Sequence, residues 1–403
     1  MNRFKWLAAL EMVRSMKSFE MELGFLLDEI SLLDQVCCVE YRRLDVPLRE
    51  SFAISGGATE SANLLLLRLK DQRGRLGYGE AAPFPAYDGI ERGDVLDSLL
   101  GTDLSFFCDP ASSSSLSASL QSLNMPGPLL AAFEMALLDL YGRQRNIPVY
   151  EFLGDSMQDF QTGMTIVVGD VDHSRESALR YLGQGFRNLK VKLSGNVALD
   201  ISRLRVIRSV APDCRLLLDA NGAFDIDRAL ELVDQISEHR LEVSFLEQPF
   251  PSGCELLNAE LSYQCSIPIL ADESCTSEQT VIEALDDFGF EGVNLKIQKS
   301  GVEVALKMRA AAVERGAKLM IGGMVESPLS MTCSAHIVKA FGGFDWVDLD
   351  TPLFMRDHPF QGGIDFDGDS VLLSEEAGLG VQVAEEFSGF VDSDWSQVWQ
   401  GAS

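Results

Sequence analysis

The sequence predicts an α/β protein: a (β/α)₈ barrel with an α+β capping domain built from the N- and C-terminal parts of the chain. Three observations lead there. Short runs rich in Val, Ile and Leu recur every 20 to 30 residues from about residue 160. Stretches with helical spacing, such as "DISRLRVIRSV" and "VEVALKMRAAAVERG", lie between them. The runs number eight, and that count favours a closed barrel over an open sheet.

In chain order, residues 1–40 form an N-terminal extension. It holds no apolar core followed by a small-residue cleavage site, and acidic residues appear early, which argues against a leader peptide. Its pattern fits an extra amphipathic helix. Residues 41–150 begin the cap, with alternating strands in "ANLLLLRLKD" and "GRLGYGEAAPFP". A Ser-rich stretch at 110–122 and the strongly apolar helix "PGPLLAAFEMALLDLYGRQRN" follow. The barrel spans 151–352. Its strands fall in "GMTIVVG", "RNLKVKLSG", "RLLLDANG", "VSFLEQP", "IPILADES", "GVNLKIQ", "AKLMIGG" and "WVDLDTP". Residues 353–403 complete the cap. There "DFDGD" has the start of a calcium loop without the later glutamate, and reads as a tight turn.

Composition removes several function classes. The chain of 403 residues carries 33 basic and 61 acidic side chains, a net charge of −28. That excess repels nucleic acid phosphate and anionic lipid. No run of 18 apolar residues exists to span a membrane. The eight cysteines form no C-x-x-C pair, which suits reduced thiols and a cytoplasmic setting.

In such a barrel the site lies at the carboxyl ends of the strands. Asp219, Glu247 and Asp272 end three neighbouring strands. Three hard oxygen donors without His or Cys suit Mg²⁺; the plainer alternative is that each merely caps a loop or helix. Lys190 and Lys192, two apart, face the same side of the second strand, and Lys296 stands four strands on. A neighbouring cation and a divalent metal both favour the neutral amine, so Lys192 could act as a base near neutral pH. Two lysines on opposite sides of one carbon could take a proton from one face and return it from the other, with the metal answering the enediolate charge. Asp348 and Asp350, also two apart, share a side if "WVDLDTP" is a strand, and like charges so placed call for a cation or solvent. A local partner such as Arg356 is the plain alternative.

The order K-x-K, D-A-N, E-Q-P, A-D-E-S and N-L-K resembles the enolase superfamily in its muconate-lactonizing branch. The likeness covers about residues 41 to 385 and includes "GEAAPFPAYDG" and "AAFEMALLDLYGRQRNIPVYEFLG". It implies a modified TIM barrel, Mg²⁺ on Asp219, Glu247 and Asp272, Lys192 and Lys296 as paired acid/base groups, and Lys190 polarising a substrate carboxylate. It also implies a homo-oligomer. An Asp-x-Asp after the eighth strand is similar to the dipeptide epimerases, where the pair holds the free α-ammonium of an L,L-dipeptide. That implies conversion to the L,D form by 1,1-proton transfer at the C-terminal residue. Members acting on Ala-Glu carry an arginine in the first capping loop. The matching "SFAISGGATES" has none, which argues against an acidic second residue and leaves a neutral or apolar one, or a cationic one drawn to an acidic cap. Other activities of the branch are o-succinylbenzoate synthesis, N-acylamino acid racemisation and cycloisomerisation, and all leave the acidic pair without a role. A non-catalytic binding barrel is the remote alternative.

Overall fold

A long antiparallel ribbon opens the described chain. The computed structural model describes residues 35–108, 116–154, 156 and 158–401. Of the expected extension 1–40, residues 1–34, where the helix is expected, lie outside that range, and residues 36–40 already belong to the first strand of the sheet. Strands β1 (Val36–Ile54), β2 (Gly57–Asp71) and β3 (Leu76–Ala81) form one sheet, and β16 (Ser396–Gln400) adds to its edge beside β1. Leu64, Leu65, Leu66 and Leu67 of β2 are all buried, a run that an alternating half-exposed strand would not show. The helix Gly127–Arg145, buried for most of its circumference, lies against β3. They approach so closely that a Cβ on Gly79 would stand 1.9 Å from the Ala132 carbonyl oxygen. Only glycine fits there.

Eight parallel strands follow: β4 (Met164–Ile166), β5 (Asn188–Lys192), β6 (Arg215–Asp219), β7 (Val243–Glu247), β8 (Ile269–Ala271), β9 (Gly292–Leu295), β10 (Lys318–Ile321) and β11 (Trp346–Val347). They pair in sequence order, each with its successor. The two ends of the sheet are joined by the Gly163 N–H, which donates to the Val347 carbonyl at 2.8 Å. The Thr162 hydroxyl, accepting from Leu349 N at 2.8 Å, seals the same gap. All eight expected strands are present, each trimmed to the core of its apolar run. The turn expected at "DFDGD" joins β13 (Ile364–Asp367) to β14 (Ser370–Leu373), with Gly368 at φ +62°.

The barrel interior explains why the reactive residues collect at one end. Leu217, Phe245, Leu270 and Met320 form a buried plug with Trp346 against it. Side chains two residues apart share a strand face. The inward position after Leu217 is therefore Asp219, after Phe245 Glu247, and after Leu270 Asp272. The register sets Lys192 beside Asp219, and Asp219 beside Glu247.

Two buried carboxylates fasten the N-terminal sheet and its helix to barrel helices. Glu80 on β3 accepts from the Ser327 backbone N–H at 2.9 Å and from its hydroxyl, at the start of the helix Pro328–Phe341. Glu134 accepts from the Val302 and Glu303 N–H groups, the latter at 3.1 Å, at the start of the helix Val302–Glu314. Helix-start donors that lack partners in their own helix thus meet buried carboxyl oxygens. Among the described residues no helix is long and apolar enough to cross a membrane, and the described cysteines Cys37, Cys38, Cys214, Cys254, Cys265, Cys275 and Cys333 are free.

Candidate active site

All eight side chains singled out from the sequence are buried at the carboxyl end of the barrel. Lys190 Nζ lies 3.0 Å from Asp219 Oδ2, 2.9 Å from Glu247 Oε2 and 2.9 Å from Asp348 Oδ2. Lys192 Nζ donates to Asp219 Oδ2 at 2.6 Å and Asn221 Oδ1 at 3.1 Å. Lys296 Nζ donates to Asp272 Oδ2 at 2.6 Å. β5 and β9 are four places apart in a closed ring of eight, so Lys192 and Lys296 approach the mouth from opposite sides. Both line one cleft, together with Asp348, Asp350 and Asn221. Its apolar wall comes from Phe52, Ile54, Phe84, Tyr87 and Met324. A larger hollow beside Arg49, Arg180 and Arg356 contains none of these reactive groups.

Asp348 and Asp350 do not sit side by side on a strand. β11 ends at Val347, and Asp350 takes a helical conformation (φ −91°, ψ −10°) at the start of the turn Thr351–Phe354, which has Pro352 in its first positions. The two carboxylates are instead answered separately. Asp348 faces Lys190, and Asp350 Oδ2 accepts from the Thr165 N–H at 2.6 Å. Arg356 is not their partner, since its Nε donates to the Leu48 carbonyl at 2.7 Å. Asp348 Oδ1 is buried and accepts no hydrogen bond.

Charge competition sets the protonation states. Burial pushes Asp219 up, but Lys190 and then Lys192 outweigh it and hold its carboxyl down at about 2. Asp272 is lowered in the same way, by Lys296 and then Lys299 against burial. Glu247 goes the other way: burial, then the Asp219 charge, raise it to about 7. Burial and the neighbouring Asp348 raise Asp350 to about 7. Burial lowers Lys296, yet Asp272 outweighs it and favours the ammonium. Asp219 and Asp348 do the same for Lys190. For these two lysines the neighbouring carboxylates outweigh burial.

Among the described residues no three acidic, His or Cys side chains stand ready to hold one metal ion. Ammonium groups lie between the acids instead, and Lys190 bridges Asp219 and Glu247. Glu247 Oε2 is buried without accepting a hydrogen bond, although Lys190 Nζ is 2.9 Å away. A locus that gathers buried oxygens around a cation, with one acceptor unused, fits a hard divalent ion in donor chemistry.

Several supporting residues escaped the sequence reading. Gln248, at φ +39°, accepts from the Asp272 and Ser274 N–H groups at 2.9 and 3.2 Å and so ties the end of β7 to that of β8. Asn221, at φ +43°, links Lys192 to Glu273. Such left-handed non-glycine residues mark strain held in place by their surroundings. Asn294 Nδ2 donates to Glu247 Oε1 at 2.6 Å, and Lys299 Nζ to Asp272 Oδ1 at 3.1 Å. The Tyr87 hydroxyl donates to Asp272 Oδ1 at 3.0 Å. Asn221, Gln248, Glu273 and Asn294 lie inside the recognised motifs, so their place in those motifs was the available signal.

Comparison with known proteins decides the family. Residues 173–387 match the family model "Enolase C-terminal domain-like", and residues 38–154 match the N-terminal domain of mandelate racemase / muconate lactonizing enzyme. The chain belongs to this family of the enolase superfamily. It is 37% identical to an aromatic dipeptide epimerase of Herpetosiphon aurantiacus over 357 residues, 85% of this chain and 97% of that protein. It is 32% identical to a hydrophobic dipeptide epimerase of Citrifermentans bemidjiense, over 77% of this chain and 87% of that protein. A crystal structure of a dipeptide epimerase from Cytophaga hutchinsonii, complexed with Mg and the dipeptide D-Ala-L-Val, is similar with a TM-score of 0.81. Its identity is 26%, and the likeness covers 90% of this chain and 100% of that one.

Proposed function

We propose that this protein is an Mg²⁺-dependent dipeptide epimerase. It converts L,L-dipeptides to L,D-dipeptides by moving the α-proton of the C-terminal residue. The observation that carries this reading is Asp348 Oδ1, a buried acceptor without a partner in the same cleft as Lys192 and Lys296. A dipeptide's free α-ammonium supplies the missing donor, and Asp350 adds a second acidic group in the same cleft. A charge-assisted hydrogen bond there contributes about 1.5 to 3 kcal/mol.

Lys192 and Lys296 are the acid/base pair. One amine takes the α-proton, the electron pair delocalises into the carboxylate as an enediolate, and the opposite ammonium returns a proton to the other face. The abstracting lysine must first lose its own proton to solvent, because its carboxylate partner, Asp219 or Asp272, is held ionised and does not take it. Asp219, Glu247 and Asp272 would hold Mg²⁺. When bound, the ion supplies electrophilic charge that favours enolisation of the substrate carboxylate. Lys190, released from bridging the acids, would face that carboxylate. The wall of Phe52, Ile54, Phe84 and Met324 suits an apolar second residue, and the names of the aromatic and hydrophobic epimerases among the relatives support this preference.

The test is a pooled screen of L,L-dipeptides in D₂O with Mg²⁺, read by mass spectrometry. Gain of one deuterium by apolar dipeptides, and none by their N-acetylated forms, is expected. Exchange of N-acyl amino acids with no dipeptide exchanging would replace this reading by racemisation of acylated amino acids.

A further inference from the structure

The two proposed bases have unlike surroundings. Lys192 is held by groups of the barrel alone, Asp219 and Asn221. Lys296 is held by Asp272 from below, and from above by the ring of Tyr87, whose centre lies 4.4 Å from Nζ. The same tyrosine donates its hydroxyl to Asp272 Oδ1 at 3.0 Å. One side chain thus touches both members of the Lys296–Asp272 pair: it offers its electron-rich face to the ammonium and its hydroxyl to the carboxylate. Tyr87 belongs to the short helix Pro85–Asp88 beyond β3, closed by Gly89 at φ +78°. That segment presses on the β1–β2 turn, where a Cβ at Gly56 would stand 2.3 Å from the Ala86 carbonyl oxygen. The loop carrying Tyr87 is therefore seated on the neighbouring turn.

We infer that Tyr87 is a positioning residue for Lys296 and not for Lys192, so that seating of this loop aligns one of the two bases. The inference rests on the epimerase reading above. Its chemistry is a plain proton transfer: the α C–H bond breaks, its electron pair enters the enediolate, and the proton passes to the lysine amine. Each lysine serves one face of the carbon. Misaligning Lys296 alone leaves Lys192 able to remove a proton from its own face and return a solvent deuteron there.

The experiment follows deuterium uptake in D₂O with Mg²⁺, starting separately from the L,L- and L,D-forms of one active dipeptide. Net inversion falls equally in both directions in any variant, as equilibrium requires. Exchange without inversion is free to become one-sided. Tyr87→Leu is expected to shift the ratio of the two exchange rates by at least about tenfold, the scale on which small misplacement of a reacting group acts. Tyr87→Phe keeps the ring and is expected to restore most of that ratio. Equal slowing from both epimers in Tyr87→Leu would overturn the inference, because loss of loop structure alone acts on both faces. So would an unchanged ratio. If the unaltered protein exchanges neither epimer, the epimerase reading fails and takes this inference with it. If the unaltered protein exchanges both and only the predicted asymmetry is missing, the epimerase reading stands.

Discussion

At the barrel mouth, Asp219 and Asp272 meet ammonium groups; at the seam below the N-terminal sheet, Glu80 and Glu134 meet backbone N–H groups. All four carboxylates are fully buried. The difference lies in what answers them. Lys190, Lys192 and Lys296 sit on flexible stems, so their charges can shift to admit another cation or a substrate. The donors of Ser327, Val302 and Glu303 are fixed at helix starts and cannot move without unwinding a turn. Similar burial therefore gives exchangeable electrostatics in one place and fastening in the other. Changes at the mouth should alter turnover more than stability, and changes at the seam the reverse.

The largest effect expected is on turnover. Lys192→Ala should lower kcat by about 10²–10⁴, the contribution of a positioned acid/base group. Its melting temperature should stay near that of the parent, since Lys190 remains beside Asp219. Parallel kinetics and thermal unfolding check this, and a variant that unfolds in step with its loss of activity would break the contrast. Next comes Asp348→Asn. It should raise KM for a dipeptide by roughly 10- to 100-fold, corresponding to the loss of a charged hydrogen bond. Steady-state kinetics on a dipeptide with a free amino terminus and on its N-acetylated form separate ammonium binding from a general disturbance of Lys190.

The contrast also marks what could be read from the sequence. The eight strands were legible because buried parallel strands leave unbroken Val, Ile and Leu runs. The mouth residues were legible because inward positions repeat every second residue, so a charge following an apolar inward position stands out at the strand end. The pairing of Asp348 with Lys190, and of Asp350 with Thr165, was not. Those partners are 158 and 185 residues away in sequence, and Asp350 leaves the strand geometry that the spacing alone suggests. The roles of Glu80 and Glu134 were equally hidden. Each sits in an apolar run that reads as strand or helix, and its partner is a backbone group with no sequence signature. Tyr87 lies within "GEAAPFPAYDG", but nothing local to that run shows that its side chain reaches Lys296 and Asp272.

At the seam the expected effect is on stability. Glu134→Ala strands the Val302 and Glu303 donors away from water. It should destabilise the protein by about 1–3 kcal/mol in urea unfolding. Adding Mg²⁺ should leave that difference unchanged, because the ion's proposed ligands lie elsewhere. A loss that Mg²⁺ repairs would tie the seam to the mouth and erase the distinction.

The smallest effect is the most specific. Burial, with a lesser push from Glu303, raises Glu134 from 4.5 to about 8 despite the two N–H donors. Burial raises Glu80 likewise to about 8. An acid raised in the folded state binds its proton more tightly there than in the unfolded chain. Its contribution is complete below about pH 4.5 and is lost as pH rises through about 8. Asp219 has the opposite sign: its contribution is present above 3.8 and lost as pH falls through about 2. Between pH 5 and 8 the seam therefore pulls stability downward while Asp219 is silent. Glu247 and Asp350, raised to about 7, add to the same slope, so the parent's curve alone does not isolate the seam. Glu134→Gln does. It keeps an acceptor for the helix start and removes one titrating proton, which flattens the curve by at most about 1.4 kcal/mol per pH unit. Urea unfolding of both proteins at pH 5, 6, 7 and 8 measures it. Parallel curves would mean that Glu134 stays ionised throughout, with the helix-start donors outweighing burial. The seam would then be held by charge, as the mouth is, and the two regions would differ only in whether the answering group can move.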